Sequence, residues 1–258
     1  MNKIDVKDIR FRYRKNDKEV LRGLSFSCES GTVTVLLGLN GSGKTTLIKC
    51  LVGLLSPESG DIILDGQKKL CDLSIKERAK RMAYVAQRWG TVEDFLVKDY
   101  LLFGKAGQFR FYESPKENDV REAAEMAKRF GIYGLLEKKL CEISGGERQI
   151  VSICSALLQK ADLIVLDEPT SSLDIRNQAT VLSVLKDIAK DGKTIILSSH
   201  NPNHALYLDS EVALMKDGRI LECGHSIDTI KPEKLKQIYG EQICYSKELL
   251  YEEISFFN

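Results

Sequence analysis

The sequence predicts an α/β fold organised around a phosphate-binding loop, with an antiparallel β portion and a mainly helical insertion. Three observations predict it. An apolar run, Thr32 to Leu37, leads into the glycine-rich stretch Gly38–Thr46 (GLNGSGKTT), and a helical pattern, Leu47 to Leu55, leads out. Two further apolar runs, Asp162 to Leu166 and Thr194 to Leu197, end on polar residues, Asp167-Glu168-Pro169 and Ser198-Ser199-His200. Helical patterns with start and stop signals separate these runs, as an α/β core requires.

The first strand reads as two short alternating stretches, Ile4 and Val6, then Ile9, Phe11 and Tyr13. Leu24, Phe26 and Cys28 alternate in a second strand, with a polar turn between them, so the chain opens antiparallel. Tyr13, at the strand end, can cap the sheet or stack its ring on an adenine face, and position alone favours the cap. Past the loop helix, Ser56 to Gly60 is a stop and turn, and DIILDG is a strand ending at Asp65-Gly66. Ser74 with Glu77 forms a capping box for a short basic helix, and Met82 to Ala86 is a strand ending on Gln87. Residues 88 to 160 then read as the helical insertion. Within it Val97 to Phe103 is helical, Ser114-Pro115 starts a helix running to about Phe130, and another follows ISGGERQ to about Gln159. Beyond the second buried strand come a helix from Ile175 to Lys190, the third strand, a short helix and a hairpin turning on Asp217-Gly218. A polar helix, Ile230 to Tyr239, precedes a weakly alternating tail. The expected organisation is one domain, 1–258: a core at 1–87 and 161–230, the helical part at 88–160 and a C-terminal extension at 231–258.

Composition narrows the function. The chain has 258 residues, 43% hydrophobic, enough for a substantial core. Its 38 basic and 37 acidic residues leave a net charge of +1, which gives no argument for nucleic acid or an anionic lipid surface. The seven scattered cysteines have no C-x-x-C spacing and are expected to be reduced core thiols of a cytosolic protein. The opening MNKIDVKDIR has no apolar signal core, and no run approaches the ~20 apolar residues a membrane helix needs. Any membrane role is expected to pass through another protein.

The chemistry starts at the loop. The spacing G-x-x-x-x-G-K-T is that of a P-loop. Gly38, Gly41 and Gly43 let the backbone turn and aim N–H groups at an anion. Leu39, Asn40 and Ser42 complete the cradle, and Thr46 follows within the helix start. Lys44 can reach the β- and γ-phosphates, and the Thr45 hydroxyl is placed for Mg²⁺. In LIVLDEP, Asp167 suits the Mg²⁺ hydration shell, and Glu168 can orient and deprotonate an attacking water. ISGGERQ is a second anion site without a lysine, where Ser144, Gly145, Gly146 and Glu147 open a helix. One triphosphate does not need two such sites in one chain.

With these parts in order, the chain resembles the ATP-binding subunit of an ABC transporter, whose LSGGQ reads ISGGE here. The resemblance covers nearly the whole chain and implies a P-loop NTPase (RecA-like) core. It places Tyr13 on adenine, overriding the cap, and puts Gln87 at the Q-loop, reaching Mg²⁺ and the membrane subunit. It makes Ser171-Ser172-Leu173-Asp174 the D-loop and His200 the switch histidine at the γ-phosphate. His204 and His225 match no family role and are expected at the surface. Cys154-Ser155-Ala156-Leu157 departs from the family's A-R-A-L. VKDYLLFGK and TSSLDIRNQ resemble patterns of the importer ATPases for iron-siderophores, haem and cobalamin, with Asp99 and Lys105 as conservative replacements. The resemblance implies ATP and Mg²⁺, a homodimer sharing each ATP between one P-loop and the other ISGGE, permease subunits, and indirectly a substrate-binding protein. It puts the chain on the cytoplasmic face of the membrane. The segment Arg88 to Phe111, with Trp89, Phe95, Phe109 and Phe111, is expected to form the permease groove or to pack within the insertion. The rival readings are an ABC ATPase for other cargo, a non-transport ABC ATPase, and a catalytically dead partner. The last is disfavoured by Lys44, Asp167, Glu168 and His200.

Overall fold

The computed structural model describes residues 3–87, 94–109, 113–171 and 173–240. Trp89, Phe111, Ser172 and the alternating tail lie outside the described residues. Ten strands are described: β1 (Ile4–Phe11), β2 (Leu21–Cys28), β3 (Val33–Leu37), β4 (Ser59–Leu64), β5 (Lys68–Lys69), β6 (Met82–Val85), β7 (Leu163–Leu166), β8 (Thr194–Ser199), β9 (Glu211–Lys216) and β10 (Arg219–His225). Among them lie the helices α1 (Lys44–Leu51), α2 (Ile75–Arg81), α3 (Val97–Phe103), α4 (Glu117–Arg129), α5 (Gly145–Leu158), α6 (Ile175–Lys190), α7 (Pro202–Tyr207), α8 (Ser226–Thr229) and α9 (Pro232–Tyr239).

The strands form two sheets. One is antiparallel, in the order β2-β1-β4-β5. Its β1 joins the two alternating stretches through an irregularity after Val6, where Asp8 takes φ 46°. The other is six-stranded, β10-β9-β3-β8-β7-β6, and parallel except for the β9–β10 hairpin. The hairpin turns on Asp217 (φ 48°) and Gly218 (φ 76°), the left-handed pair that a two-residue turn favours.

Both faces of the parallel sheet are buried, so its strands read as continuous apolar runs. Side chains alternate between two cores. Val35, Ile164, Leu166, Ile195 and Leu197 join the larger cluster with residues of α3 to α7 and α9. Leu36, Val165 and Ile196 face the smaller one with α1 and the antiparallel sheet. Burial of a large aliphatic side chain contributes about 1.5–3 kcal/mol, so these two cores fix the strands whose ends carry the site.

Several expectations change. Helix α4 starts at Glu117 with Lys116 as N-cap, not at Ser114. The Asp119 carboxylate accepts from the Lys116 N–H at 2.8 Å, so the reach-back comes from Asp119, while Pro115 keeps Ser114 out of helical geometry. Cys28, Cys50 and Cys154 are buried thiols, and burial pushes each up to about 12. Cys71, Cys141 and Cys223 are exposed, contrary to the expectation of core thiols. Among the described residues no helix is long and apolar enough to cross a membrane.

Candidate functional site

Parallel strands deliver their C-terminal ends to one edge of a sheet, where α/β proteins bind ligands. Here β3 runs into Gly38–Thr46, β6 into Gln87, β7 into Asp167-Glu168, and β8 into His200. Residues distant in sequence meet there because the register of four adjacent strands brings them level.

The loop wraps the start of α1. Gly43 takes φ 105°, a conformation that side chains resist. At Gly38, a Cβ would sit 2.4 Å from the Met215 carbonyl oxygen of neighbouring β9, so only glycine lets the loop leave the sheet there. Lys44 is 4% exposed, and its ammonium donates to the carbonyls of Gly38 (2.8 Å) and Leu39 (3.1 Å). Its third neighbour is Glu168 Oε1 at 3.3 Å. A cavity of about 300 Å³ opens over Asn40, Gly41, Gly43, Lys44, Thr45 and Thr46, walled by Gln87 and Glu168. A glycine-rich loop, a helix N-terminus and an ammonium make this cavity complementary to a polyphosphate.

The two carboxylates differ in role because their surroundings differ. Asp167 is 2% exposed and accepts from Thr45 Oγ1 (3.1 Å) and Ser198 Oγ (2.8 Å). Burial raises its pKa, its two hydroxyl donors work against that rise, and the neighbouring Glu168 adds to it. With the Thr45 hydroxyl, Asp167 offers hard oxygen donors of the kind a magnesium ion takes. Glu168 sits at φ 45°, strained for a residue with a Cβ, and its N–H is held by Ser198 Oγ at 2.8 Å. Its Oε2 accepts from Gln87 Nε2 (3.1 Å) and lies 3.8 Å from His200 Nδ1. One carboxylate thus faces a lysine, a glutamine and a histidine, a geometry able to hold and deprotonate a water.

Ser198 is the residue that sequence reasoning missed. It is fully buried in β8, donates to one carboxylate and accepts from the backbone of the next. A hydroxyl ending the run Thr194–Leu197 was its only signal. Tyr13 lies just past β1, 55% exposed, with its ring edge to face with Phe11 and its hydroxyl 3.1 Å from Thr46 Oγ1 beside the loop.

ISGGE is not part of this cavity. Ser144 caps α5 and accepts from the Glu147 N–H (3.3 Å), while Glu147 accepts from the Ser144 N–H (2.8 Å). Ser144 and Gly145 are exposed, whereas Gly146 is buried against Asn177. Asp174 caps α6, accepting from the Asn177 N–H at 2.8 Å, so the two helix starts adjoin. Lys105 is fully buried, paired with Asp119 and Glu122 of α4. Burial alone would lower its pKa, but the two carboxylates hold it above the usual lysine value. Phe95 and Phe103 meet edge to face at 5.0 Å yet stay 42% and 47% exposed.

His204 is not a surface residue. It is 2% exposed, with Nδ1 2.9 Å from Ser199 Oγ and Nε2 3.3 Å from Asn201 Nδ2. Burial and the nearby His200 push it down to about 4. Polar partners on the β8–α7 turn let α7 turn this histidine inward. His225 is half-buried, with Nε2 3.4 Å from Asp209 Oδ1.

The fold and cavity define a P-loop nucleotide-binding ATPase. The family model for ABC transporters matches residues 21–171, and the chain belongs to that family as an ATP-binding, ATP-hydrolysing subunit of a transporter. It is 35% identical to an uncharacterised ABC transporter ATP-binding protein of Haemophilus influenzae, over 92% of this chain and 89% of that one. It is 36% identical to a Helicobacter pylori protein named as an iron chelatin transport ATP-binding protein, over 84% and 85%. A solved metal-chelate type ABC transporter in an inward-facing conformation aligns with TM-score 0.80 and 26% identity, over 92% and 88%.

Proposed function

We propose that this chain binds ATP with Mg²⁺ between its own P-loop and the ISGGE of a second copy, and that hydrolysis drives import of an iron chelate. One observation carries the reading: Glu168 meets Lys44, Gln87 and His200 at a phosphate cradle, while no ISGGE residue lines it. In this reading Glu168 is the general base, His200 meets the γ-phosphate, and Lys44 lies along the β- and γ-phosphates. Tyr13 stacks on adenine. Gly38, Leu39, Asn40, Gly41, Ser42, Gly43 and Thr46 shape the cradle. Thr45, Asp167 and Gln87 hold the metal, which supplies charge neutralisation between the phosphates. Ser144, Gly145, Gly146 and Glu147 of the second copy close the open side with backbone N–H groups and a helix N-terminus, and Asp174 supports that rim.

The transport reading adds permease subunits docked near Phe95 and Phe103, an extracytoplasmic binding protein, and a place on the cytoplasmic face of the membrane. The name of the Helicobacter relative and the stretches VKDYLLFGK and TSSLDIRNQ support an iron-siderophore, haem or cobalamin cargo. Glu168→Gln tests the engine. Hydrolysis is expected to fall by about 10²–10⁴-fold, ATP binding to persist, and an ATP-loaded dimer to accumulate in gel filtration. Normal turnover in that variant would remove the base. Deleting the gene in its host tests the cargo. Uptake of labelled ferric siderophore, haem or cobalamin should stop, and unchanged uptake of all three would move the cargo to another class.

A further inference from the structure

We infer that Tyr239, the last residue of α9, is a positioning residue for His200. The inference rests on the reading of His200 given above and extends it to the C-terminal helix.

The Tyr239 hydroxyl donates to the His200 backbone carbonyl at 2.8 Å. A carbonyl can only accept, and burial raises the phenol pKa, so the tyrosine stays protonated as the donor. The His200 ring is 47% exposed, and its Nδ1 lies 3.8 Å from Glu168 Oε2, beyond hydrogen-bond length. The peptide that carries the ring sets where its Cα–Cβ bond points. That peptide is fixed on one side by β8, where Gly38 N–H donates to the Ser199 carbonyl at 3.3 Å. Tyr239 fixes the other side.

The support behind Tyr239 is rigid. Leu235 and Ile238 of α9 are 2% and 4% exposed within the larger core. Lys216, at the end of β9, donates to the Gln237 carbonyl at 2.7 Å. Two residues on, the Gly218 N–H donates to the Ser42 carbonyl of the phosphate loop at 3.0 Å. One short helix thus links the hairpin that braces the cradle to the carbonyl of the histidine facing it. A hydroxyl so placed holds the imidazole where it can meet the terminal phosphate and Glu168 together.

The test is Tyr239→Phe in the full chain, which keeps the ring and removes the hydroxyl. The expected result is a fall in kcat of about five- to tenfold with KM for ATP unchanged, as for a lost hydrogen bond that orients a reacting group. The chain has three histidines, so their imidazole resonances can be assigned by substitution. Those of His200 should move in Tyr239→Phe, and those of His225 should not. Wild-type kcat with unmoved His200 resonances overturns the inference, even if thermal stability falls, because tyrosine would then be packing alone. His200→Ala is measured alongside. If it is impaired while Tyr239→Phe is normal, only this inference fails. If His200→Ala hydrolyses ATP normally, the reading of His200 fails and takes this inference with it.

Discussion

Two helix N-termini in this molecule open on glycines and a helix dipole, and they are built differently. At α1, the cradle is closed in by β6, β7 and β8, and Lys44 and Asp167 are 4% and 2% exposed. At α5, Ser144 and Gly145 are exposed, and the Ser144 and Glu147 side chains each accept the other residue's backbone N–H in a capping box. The first is a pocket and the second is a face. A face of this kind gains an anion only when another surface brings one, which is the physical content of the shared-site proposal. The largest expected effect falls on the pocket side. Lys44→Ala should lower kcat/KM for ATP by about 10²–10³-fold or more, because it removes a preorganised charge from a nearly dry site. Near-normal kinetics in that variant would mean that the phosphates do not lie in the cradle.

The next test separates helix capping from ligand closure. The chain holds a second capping box of nearly identical geometry, away from the pocket. Ser74 N–H donates to Glu77 at 2.9 Å, and Glu77 N–H donates to Ser74 Oγ at 3.3 Å. Ser74→Ala and Ser144→Ala should each cost about 1 kcal/mol of stability in urea unfolding. Only Ser144→Ala should also slow hydrolysis, by about tenfold. Equal hydrolysis in the two variants would reduce ISGGE to an ordinary helix start and break the comparison.

Much of the pocket was legible because a few local rules fix it. The loop spacing, the apolar strand before it and the carboxylate pair after β7 are backbone and periodicity statements, and they need no long-range knowledge. The parts that were not legible depend on packing across elements. Ser198 carries no motif; it matters because β7 and β8 are neighbours in register. Lys105 read as a simple basic replacement, but it is buried because Asp119 and Glu122 meet it from α4. A fully buried lysine is rare without such partners. His204 read as surface because a short polar stretch gives no sign of which face turns inward. The start of α4 was misplaced because Ser114-Pro115 is itself a start signal, and the choice lay with the reach of Asp119.

Ser198 sharpens the comparison from the pocket side. It serves both residues, so Ser198→Ala leaves the Glu168 N–H without its acceptor and Asp167 with one of its two hydroxyl donors removed. Stability should fall by about 1–3 kcal/mol. Hydrolysis should fall by several-fold, a smaller loss than for Lys44→Ala, since Thr45 still donates to Asp167. A variant with altered stability and unchanged turnover would show that the strained Glu168 backbone holds without it.

The smallest effect concerns the histidine behind the pocket. Burial holds His204 down at about 4, below the 6.5 of an exposed imidazole. Between those values the unfolded chain binds a proton that the folded chain refuses, so lowering the pH through this window removes stability, and raising it restores it. From about pH 7.5 to about pH 5.5 the loss assigned to this one group is about 1.4 kcal/mol. His204→Asn, compared with the unaltered chain by urea unfolding at the two pH values, should lose less over the same interval by about that amount. The face around ISGGE holds no buried histidine among the described residues, so acid should loosen the β8–α7 turn before it disturbs α5. Equal pH slopes in the two proteins would mean that water reaches His204 and that the turn behind His200 is softer than its hydrogen bonds indicate.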